Sequence, residues 1–346
     1  MRAVHESERD LLRHHGDVEV DPGMLDFAVN VRGDGPPAWL RERLAARLGG
    51  LGRYPSAAED LATRRLVAAR HGRAADEVLL LAGGAEGFAM LPRLQPRLAA
   101  VVHPSFTEPE LALREAGVPV LRVPLDPPYR LDPGRVRDDA DLVVLGNPTN
   151  PTSVLHPAES VLALRRPGRL VVVDEAFADA TVGEPESVAD RALPDVLVLR
   201  SLTKTWALAG LRCGYALGSP DVLARLAHGR AHWPLSSLQT EAIAACSEPD
   251  AVAQAQLQAQ RIATERAAMV EQLRAAPVQI ALPAAGPFLL LRVPDGELVR
   301  KRLREKGIAV RRGDTFPGLG PDHIRVAVRP AAEVTRLVGA LVQVCR

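Results

Sequence analysis

One lysine stands apart in this chain. Lys204 is the first lysine of the sequence and Lys301 the next; every other basic residue before position 300 is arginine or histidine. The distinction is chemical. A guanidinium is never a free amine, whereas a lysine amine that has lost its proton through desolvation attacks an aldehyde and forms an imine. The run Val196-Leu197-Val198-Leu199 leads into Lys204 and reads as a buried strand. A surface lysine behind a strand is the plain alternative. A second candidate is Asp174, an acid ending the apolar run Leu170-Val171-Val172-Val173. Open α/β sheets hold ligands outside the carboxyl ends of their strands, although an acid there also serves as a helix cap. A third is Ala82-Gly83-Gly84-Ala85-Glu86-Gly87. Small residues that turn from a strand into a helix let backbone N–H groups approach a phosphate. An ordinary strand-to-helix turn has the same composition. Neither a GxGxxG fingerprint nor a P-loop Gly-Lys-Ser/Thr is present there.

The elements that must position these groups alternate in type. Helices are predicted at about 37–48, 61–71 and 108–116, and strands at 77–81, 98–102, 141–145 and 169–174. The strands are continuously apolar, as in a parallel sheet covered on both faces. Further helices are expected near 220–228, 238–246 and 250–275, the last long and amphipathic and bridging two domains. After residue 278 strands at 288–293, 308–310 and 324–328 mix with helices at 296–306 and 330–344. The fold class is therefore α/β, a doubly wound, mostly parallel sheet with a smaller α+β C-terminal domain. The expected division is an arm at 1–30, a large domain at 31–245, and a small domain at 246–346 joined by the arm. Within the arm, His14 and His15 are adjacent, and surface exposure is expected for them.

Composition excludes several classes. The 346 residues are 47% hydrophobic and 25% charged, ordinary for a globular chain. A net charge of +1 gives no field to draw nucleic acid or anionic membrane. No apolar run reaches the roughly 18 residues of a membrane span, and the N-terminus lacks the apolar centre of a signal peptide. Cys213, Cys246 and Cys345 are odd in number and far apart, which fits neither a disulfide framework nor a CxxC metal site. A cytoplasmic protein without metal is expected.

The segment Arg200–Tyr215, with Ser201, Thr203, Lys204, Gly210, Leu211, Arg212 and Gly214, resembles the Schiff-base lysine segment of fold-type I pyridoxal-phosphate enzymes, in the class I/II aminotransferase group. Asn147-Pro148-Thr149-Asn150-Pro151-Thr152 and Asp174-Glu175-Ala176-Phe177 are similar to further motifs of that family. Asp26-Phe27-Ala28-Val29-Asn30, with the His-Gly-Asp upstream, resembles the branch of histidinol-phosphate aminotransferases and cobalamin-pathway threonine-phosphate decarboxylases. The resemblance spans about residues 14–340. It implies pyridoxal 5′-phosphate as cofactor, bound to Lys204 as a Schiff base. It further implies that Gly84, Ala85 and Glu86 backbone groups, Ser201 and Arg212 bind the cofactor phosphate. Phe106 would stack on the ring, Asn150 donate to its phenolic oxygen, and Asp174 keep its nitrogen protonated. Arg325, in His323-Ile324-Arg325-Val326, would clamp a substrate carboxylate, with Asn30 near the substrate. Arg311-Arg312-Gly313 is a further candidate for a substrate phosphate. Tyr54, in Arg53-Tyr54-Pro55, would cross a homodimer interface to the partner's cofactor phosphate. Two positions depart from the family pattern: Ser153 stands for a glycine, and Phe177 for a tyrosine whose hydroxyl would reach the phenolic oxygen.

The implied activity is transamination of an amino acid or an amino-acid or amino-alcohol phosphate. Decarboxylation of an amino-acid phosphate is the rival chemistry, since one electron sink serves both. A non-catalytic binding module on the same fold is the reading from another class. Only about 25 residues precede the fold, no basic patch accompanies them, and Lys204 is retained.

Overall fold

The computed structural model describes residues 7–345. Seven strands form the central sheet, in the order Val78–Leu81, Gly214–Leu217, Val196–Ser201, Leu170–Asp174, Leu142–Gly146, Ala99–His103 and Val120–Pro124. All run parallel except Gly214–Leu217, which is antiparallel to both neighbours. Side chains alternate along each strand and both faces are covered. Val172, Leu197, Leu199 and Val144 pack on one face with Phe88 and Leu113. Val171, Val173, Val196, Val198 and Leu145 pack on the other with Tyr215 and Ile243. This double burial is why the strands read as unbroken apolar blocks. The edge strand Val120–Pro124 escapes that reading because Arg122 interrupts it and Pro124 ends it, residues an edge tolerates.

A second core lies around an antiparallel sheet ordered Arg311–Arg312, His323–Ala327, Phe288–Arg292 and Gln279–Ile280. Leu289, Leu291, Ile324 and Val326 face Val299, Leu303, Leu337 and Leu341 there. The helix Pro249–Leu273 spans both cores, with Ala251 and Ala255 in the first and Met269 and Leu273 in the second. Cys246 also packs with the large sheet, so the large core extends past residue 245, where the sequence had set its border.

The N-terminal arm is built rather than loose. Its first six residues, like Arg346, lie outside the described residues. Helix Glu8–Arg13 starts in a capping box between Ser7 and Asp10. It is tied to the large unit by an Arg9–Glu115 ion pair at 2.7 Å and by the Thr107 hydroxyl on Leu12 O at 2.6 Å. Leu25–Asp26 then pairs in parallel with Ile308–Ala309 of the small unit. The expectation of exposed histidines is corrected here. His14 Nε2 lies 2.8 Å from Glu19 and His15 Nε2 2.5 Å from Glu108, and both rings are half-buried. Carboxylates supplied by the folded arm and by helix Glu108–Glu115 draw them inward.

One close approach decides how the sheet meets the loops around Lys204. A Cβ on Gly214 would lie 2.5 Å from Arg200 O and 3.1 Å from Gly83 C and Gly84 N. Gly214→Ala is therefore expected to lower stability by about 1–3 kcal/mol through overpacking. Gly210→Ala, with nothing within 4 Å of its Cβ, should leave the urea midpoint in place. Equilibrium denaturation of the two variants checks this.

Candidate active site

Parallel strands deliver their carboxyl ends to one edge, and the chemistry-bearing residues collect there. Leu81 leads to Gly83-Gly84, Gly146 to Asn147–Asn150, His103 to Phe106, and Ser201 to Lys204, while Asp174 is itself a strand end. Because Gly214–Leu217 runs the other way, Arg212 just before it comes to the same edge. Register places Gly146 opposite Asp174, and both Leu81 and Ser201 opposite Gly214.

Gly83 turns the first corner with φ +81°, which only glycine adopts freely. A Cβ there would lie 3.1 Å from Arg212 Nη2, so the missing side chain makes room for the guanidinium. Gly84 faces Ser201, 3.9 Å between its would-be Cβ and Ser201 Cβ. First-turn N–H groups of a helix have no helical acceptor. Gly84, Ala85, the Ser201 hydroxyl and Arg212 thus form a donor-rich, positively charged cradle suited to a phosphate. Arg212 itself is left-handed, φ +61°, and its carbonyl accepts from Gln239 Nε2 at 2.9 Å. It has no carboxylate partner among the described residues. Glu86 differs from expectation. Its N–H is spent on Gly83 O at 3.2 Å, and its carboxylate holds Arg230 at 2.8 and 2.7 Å and Ala82 N–H at 2.6 Å. The turn itself consumes that donor.

Lys204 is pushed down to about 8, first by burial and then by Arg325 and Arg212, against the pull of Asp17 and Asp174. Roughly a tenth is therefore free amine at pH 7, far more than for an ordinary lysine. Asp174 is pushed up to about 7 by burial, with Glu175 adding to the rise; its one N–H donor, Ala176, and the Lys204 charge oppose it. Each of the two groups acts on the other's titration, so they share one electrostatic site. A cation placed beside Asp174 would draw it back to the ionised form.

Arg325 reaches this site from the small unit. Its Nη1 donates to Asn150 Oδ1 at 2.6 Å and its Nη2 to Ala28 O. Its guanidinium carbon sits 5.5 Å from the centre of the Phe288 ring. Burial, with Arg311 second, pushes it down to about 9, so it remains charged at pH 7. Among the described residues it has no carboxylate partner, and its Nε and the Asn30 Oδ1 are buried without hydrogen bonds. A buried cation lacking its anion suits an anionic ligand. Since Asn150 spends its carbonyl oxygen on Arg325, its NH2 remains to donate. The Phe106 ring stands 5.4 Å from His15 and 5.8 Å from Phe88, tilted by 31° and 53° to them. Tyr54 is separate from this group: it is 74% exposed and stacks on Trp233 at 4.3 Å and 24°. Arg311 is spent on His14 O at 2.6 Å and Arg312 O at 2.8 Å, and Arg312 pairs with Asp314 at 2.7 Å.

The two departures from the family pattern are also accounted for. Ser153 takes the left-handed φ of +64° that a glycine would take. Its hydroxyl accepts from Gly286 N–H at 2.8 Å and its carbonyl from Ala285 N–H at 2.7 Å, bonds that offset the strain. Phe177 packs edge-on against Phe288 at 4.9 Å. Asp17, whose charge acts on Lys204, escaped the reading of the sequence. Its signal was the Gly16-Asp17 pair: a Cβ on Gly16 would meet Ala28 O at 2.4 Å and Arg325 Nη2 at 3.6 Å, so the chain packs closely here against the bend after Leu25–Asp26 and against Arg325.

A lone desolvated amine, a strand-tip acid, a phosphate-sized cradle and a buried arginine at the edge of a doubly wound sheet define a pyridoxal-phosphate class of site. Comparison with known proteins agrees. The family model "Aminotransferase class I and II" matches residues 22–341. A histidinol-phosphate aminotransferase of Mycobacterium tuberculosis is 59% identical over 331 residues, 96% of this chain and 90% of that protein. A threonine-phosphate decarboxylase of Salmonella typhimurium is 31% identical over 334 residues, 92% of this chain and 90% of its own. The crystal structure of a histidinol-phosphate aminotransferase from Clostridium acetobutylicum superposes with a TM-score of 0.84 at 24% identity, over 93% of this chain and 99% of that one, a likeness of fold. The chain belongs to the class I and II aminotransferase family, and it is a pyridoxal 5′-phosphate-dependent aminotransferase. The reading as a non-catalytic module falls with that assignment.

Because the amine is depressed to about 8, reductive trapping of a small aldehyde by the cofactor-free chain should rise with pH and reach half its maximum near 8. Below that value Lys204 is ammonium and unreactive. Lys204→Ala should lack this component in peptide-mapped trapping across pH 6–10.

Proposed function

We propose that the protein is a homodimeric aminotransferase acting on an amino-alcohol or amino-acid phosphate of the histidinol phosphate type, with Lys204 as the working amine. The convergence of Lys204 with Asp174 and two arginines, Arg212 and Arg325, that have no carboxylate partner among the described residues carries this reading. The 59% relative named for histidinol phosphate supports the substrate class.

When bound, pyridoxal 5′-phosphate supplies an aldehyde for an amine and a ring that withdraws electrons from the carbon bearing that amine. The residues do the rest. Gly84 and Ala85 N–H groups, the Ser201 hydroxyl and Arg212 hold the phosphate and so fix the ring's position. Tyr54 of a second copy completes this cradle; its exposure and its stacking on Trp233 suit a surface that meets another subunit. Phe106 covers one ring face by offset stacking. Asn150 donates to the phenolic oxygen through its NH2, and Asp174 keeps the ring nitrogen protonated. Lys204 takes the cofactor's aldehyde through its amine. The free amine of Lys204 would then be the group placed to move a proton to and from the substrate carbon that bears the amine. Arg325 forks onto the anionic group of the substrate, a carboxylate or a phosphate, with Asn30 beside it. Arg311 is close enough for its charge to act on Arg325 and adds positive potential where a phosphate would lie. The cysteines are free and two of them buried, in keeping with a reducing cytoplasm.

The 31% relative named for decarboxylation, the His-Gly-Asp arm and Phe177 favour the second outcome on the same site, loss of carbon dioxide from an amino-acid phosphate. Incubation of the loaded enzyme with histidinol phosphate, phosphothreonine and common amino acids separates the two. Pyridoxamine phosphate from histidinol phosphate is the expected product; carbon dioxide from phosphothreonine with no amine transfer would reverse the assignment. Arg325→Gln should lower kcat/KM by roughly 10- to 150-fold, the equivalent of about 1.5–3 kcal/mol for hydrogen bonds to a charge, chiefly through KM. Sedimentation of the native chain should give a dimer. Tyr54→Phe should weaken cofactor retention on dialysis without changing that state.

A further inference from the structure

The strand tips that carry Asp174 and Ser201 are also joined behind the sheet. Asp174 and Ser201 continue the face of Val172 and Leu199, while Glu175 and Arg200 continue the face of Val173 and Val198. On that second face Arg200 is 1% exposed. Its Nη1 lies 2.9 Å from Glu175 and 2.7 Å from Glu184, and its Nη2 bonds Asp179. Arg70 approaches Asp179 at 2.6 Å and Glu184 at 3.0 Å. Burial pushes Glu175 up, while Arg200 and two more donors, the Ser187 hydroxyl at 2.6 Å and Val188 N–H at 2.8 Å, favour its ionised form. His71 and the Tyr215 hydroxyl, 2.9 Å apart, border the cluster. Three carboxylates thus meet two guanidiniums in a dry core. Such networks seldom outdo apolar packing in net stability, so their use here calls for another reason.

We propose that Arg200 and Glu175 are a positioning pair for the cofactor: they lock the Asp174 strand tip to the Ser201–Lys204 strand tip and set the charge beside Asp174. This rests on the assignment of Asp174 to the ring nitrogen. The backbone is consistent with a lock, since Glu175 N–H donates to Leu199 O at 2.9 Å. The groups that act on Asp174 are Glu175 on its own strand, Lys204 from the neighbouring one and the Ala176 N–H. Arg200 neutralises the nearest of these charges, with Arg70, Asp179 and Glu184 behind it. Two opposite effects follow. Glu175→Gln removes a negative charge next to Asp174 and leaves Asp179 and Glu184 matched by Arg70 and Arg200. Arg200→Met removes the positive charge and leaves Glu175 unbalanced. A purely mechanical brace would not distinguish the two.

The test follows Asp174 in the full-length chain by carbon-13 NMR of labelled aspartate, its signal identified by loss in Asp174→Asn. Glu175→Gln should lower its titration midpoint and Arg200→Met raise it, because a like charge raises a carboxyl's pKa and an opposite charge lowers it. Arg200→Met should also weaken pyridoxal 5′-phosphate binding at pH 7. Shifts of the same sign, or none, overturn the proposal. Should Arg200→Met not fold, the near-isosteric Glu175→Gln decides alone, and a midpoint that fails to fall is sufficient to reject it. Asp174→Asn is the control for the assignment beneath. If its visible cofactor band and affinity match those of the unaltered enzyme, the ring-nitrogen role itself is wrong, a result separate from failure of the pair.

Discussion

The molecule depends on holding ionisable groups out of water without neutralising them against each other. Lys204, Asp174 and Arg325 are each moved from their ordinary titration chiefly by burial, and desolvation of a charge is among the costliest acts in folding. A stable fold accepts it only where the rest of the structure is over-determined. Here the over-determination is the parallel sheet, whose strands are apolar on both faces and whose register leaves their ends no freedom. Its single antiparallel strand brings Arg212 to the same edge as Lys204, eight residues after it in the chain.

Much of this was visible in the residues alone, for identifiable reasons. Double burial writes itself as continuous Val and Leu, so Val196–Ser201 and Leu170–Asp174 could be placed within a residue or two. An arginine-rich chain with a single lysine before position 301 marked Lys204. Resemblance then ordered Asn150, Asp174, Ser201 and Arg212, and the structure collects them at one edge. What remained hidden was non-local. Nothing in Val120–Pro124 tells that it borders the sheet. His14 and His15 look like surface residues until Glu19 and Glu108 arrive from elsewhere. Glu86 looks like any other donor until the turn's own hydrogen bond claims it.

The buried network behind the sheet was missed for a different reason. Glu175 follows Asp174 and Arg200 precedes Ser201, so each stands beside a site residue in the sequence. Attention to the site masks the neighbour, because period-two alternation sends adjacent residues to opposite faces. The same alternation gives the arrangement its use: what lies one residue away along the chain lies across the sheet in space, close enough to be felt and shielded from the ligand. Ser153 shows the complementary case, a side chain that breaks a glycine habit and is excused by two hydrogen bonds.

The arm gives the two cores a common tether. One end is anchored to helix Glu108–Glu115 through Arg9 and Thr107, and the other is zipped to Ile308–Ala309. Between and just past these anchors, a Cβ on Gly16 would lie 3.6 Å from Arg325 Nη2, Ala28 O accepts from Arg325, and the charge of Asp17 acts on Lys204. The strap that joins the cores thus also lines the site, so a loss of its seating would be felt at Arg325 and Lys204.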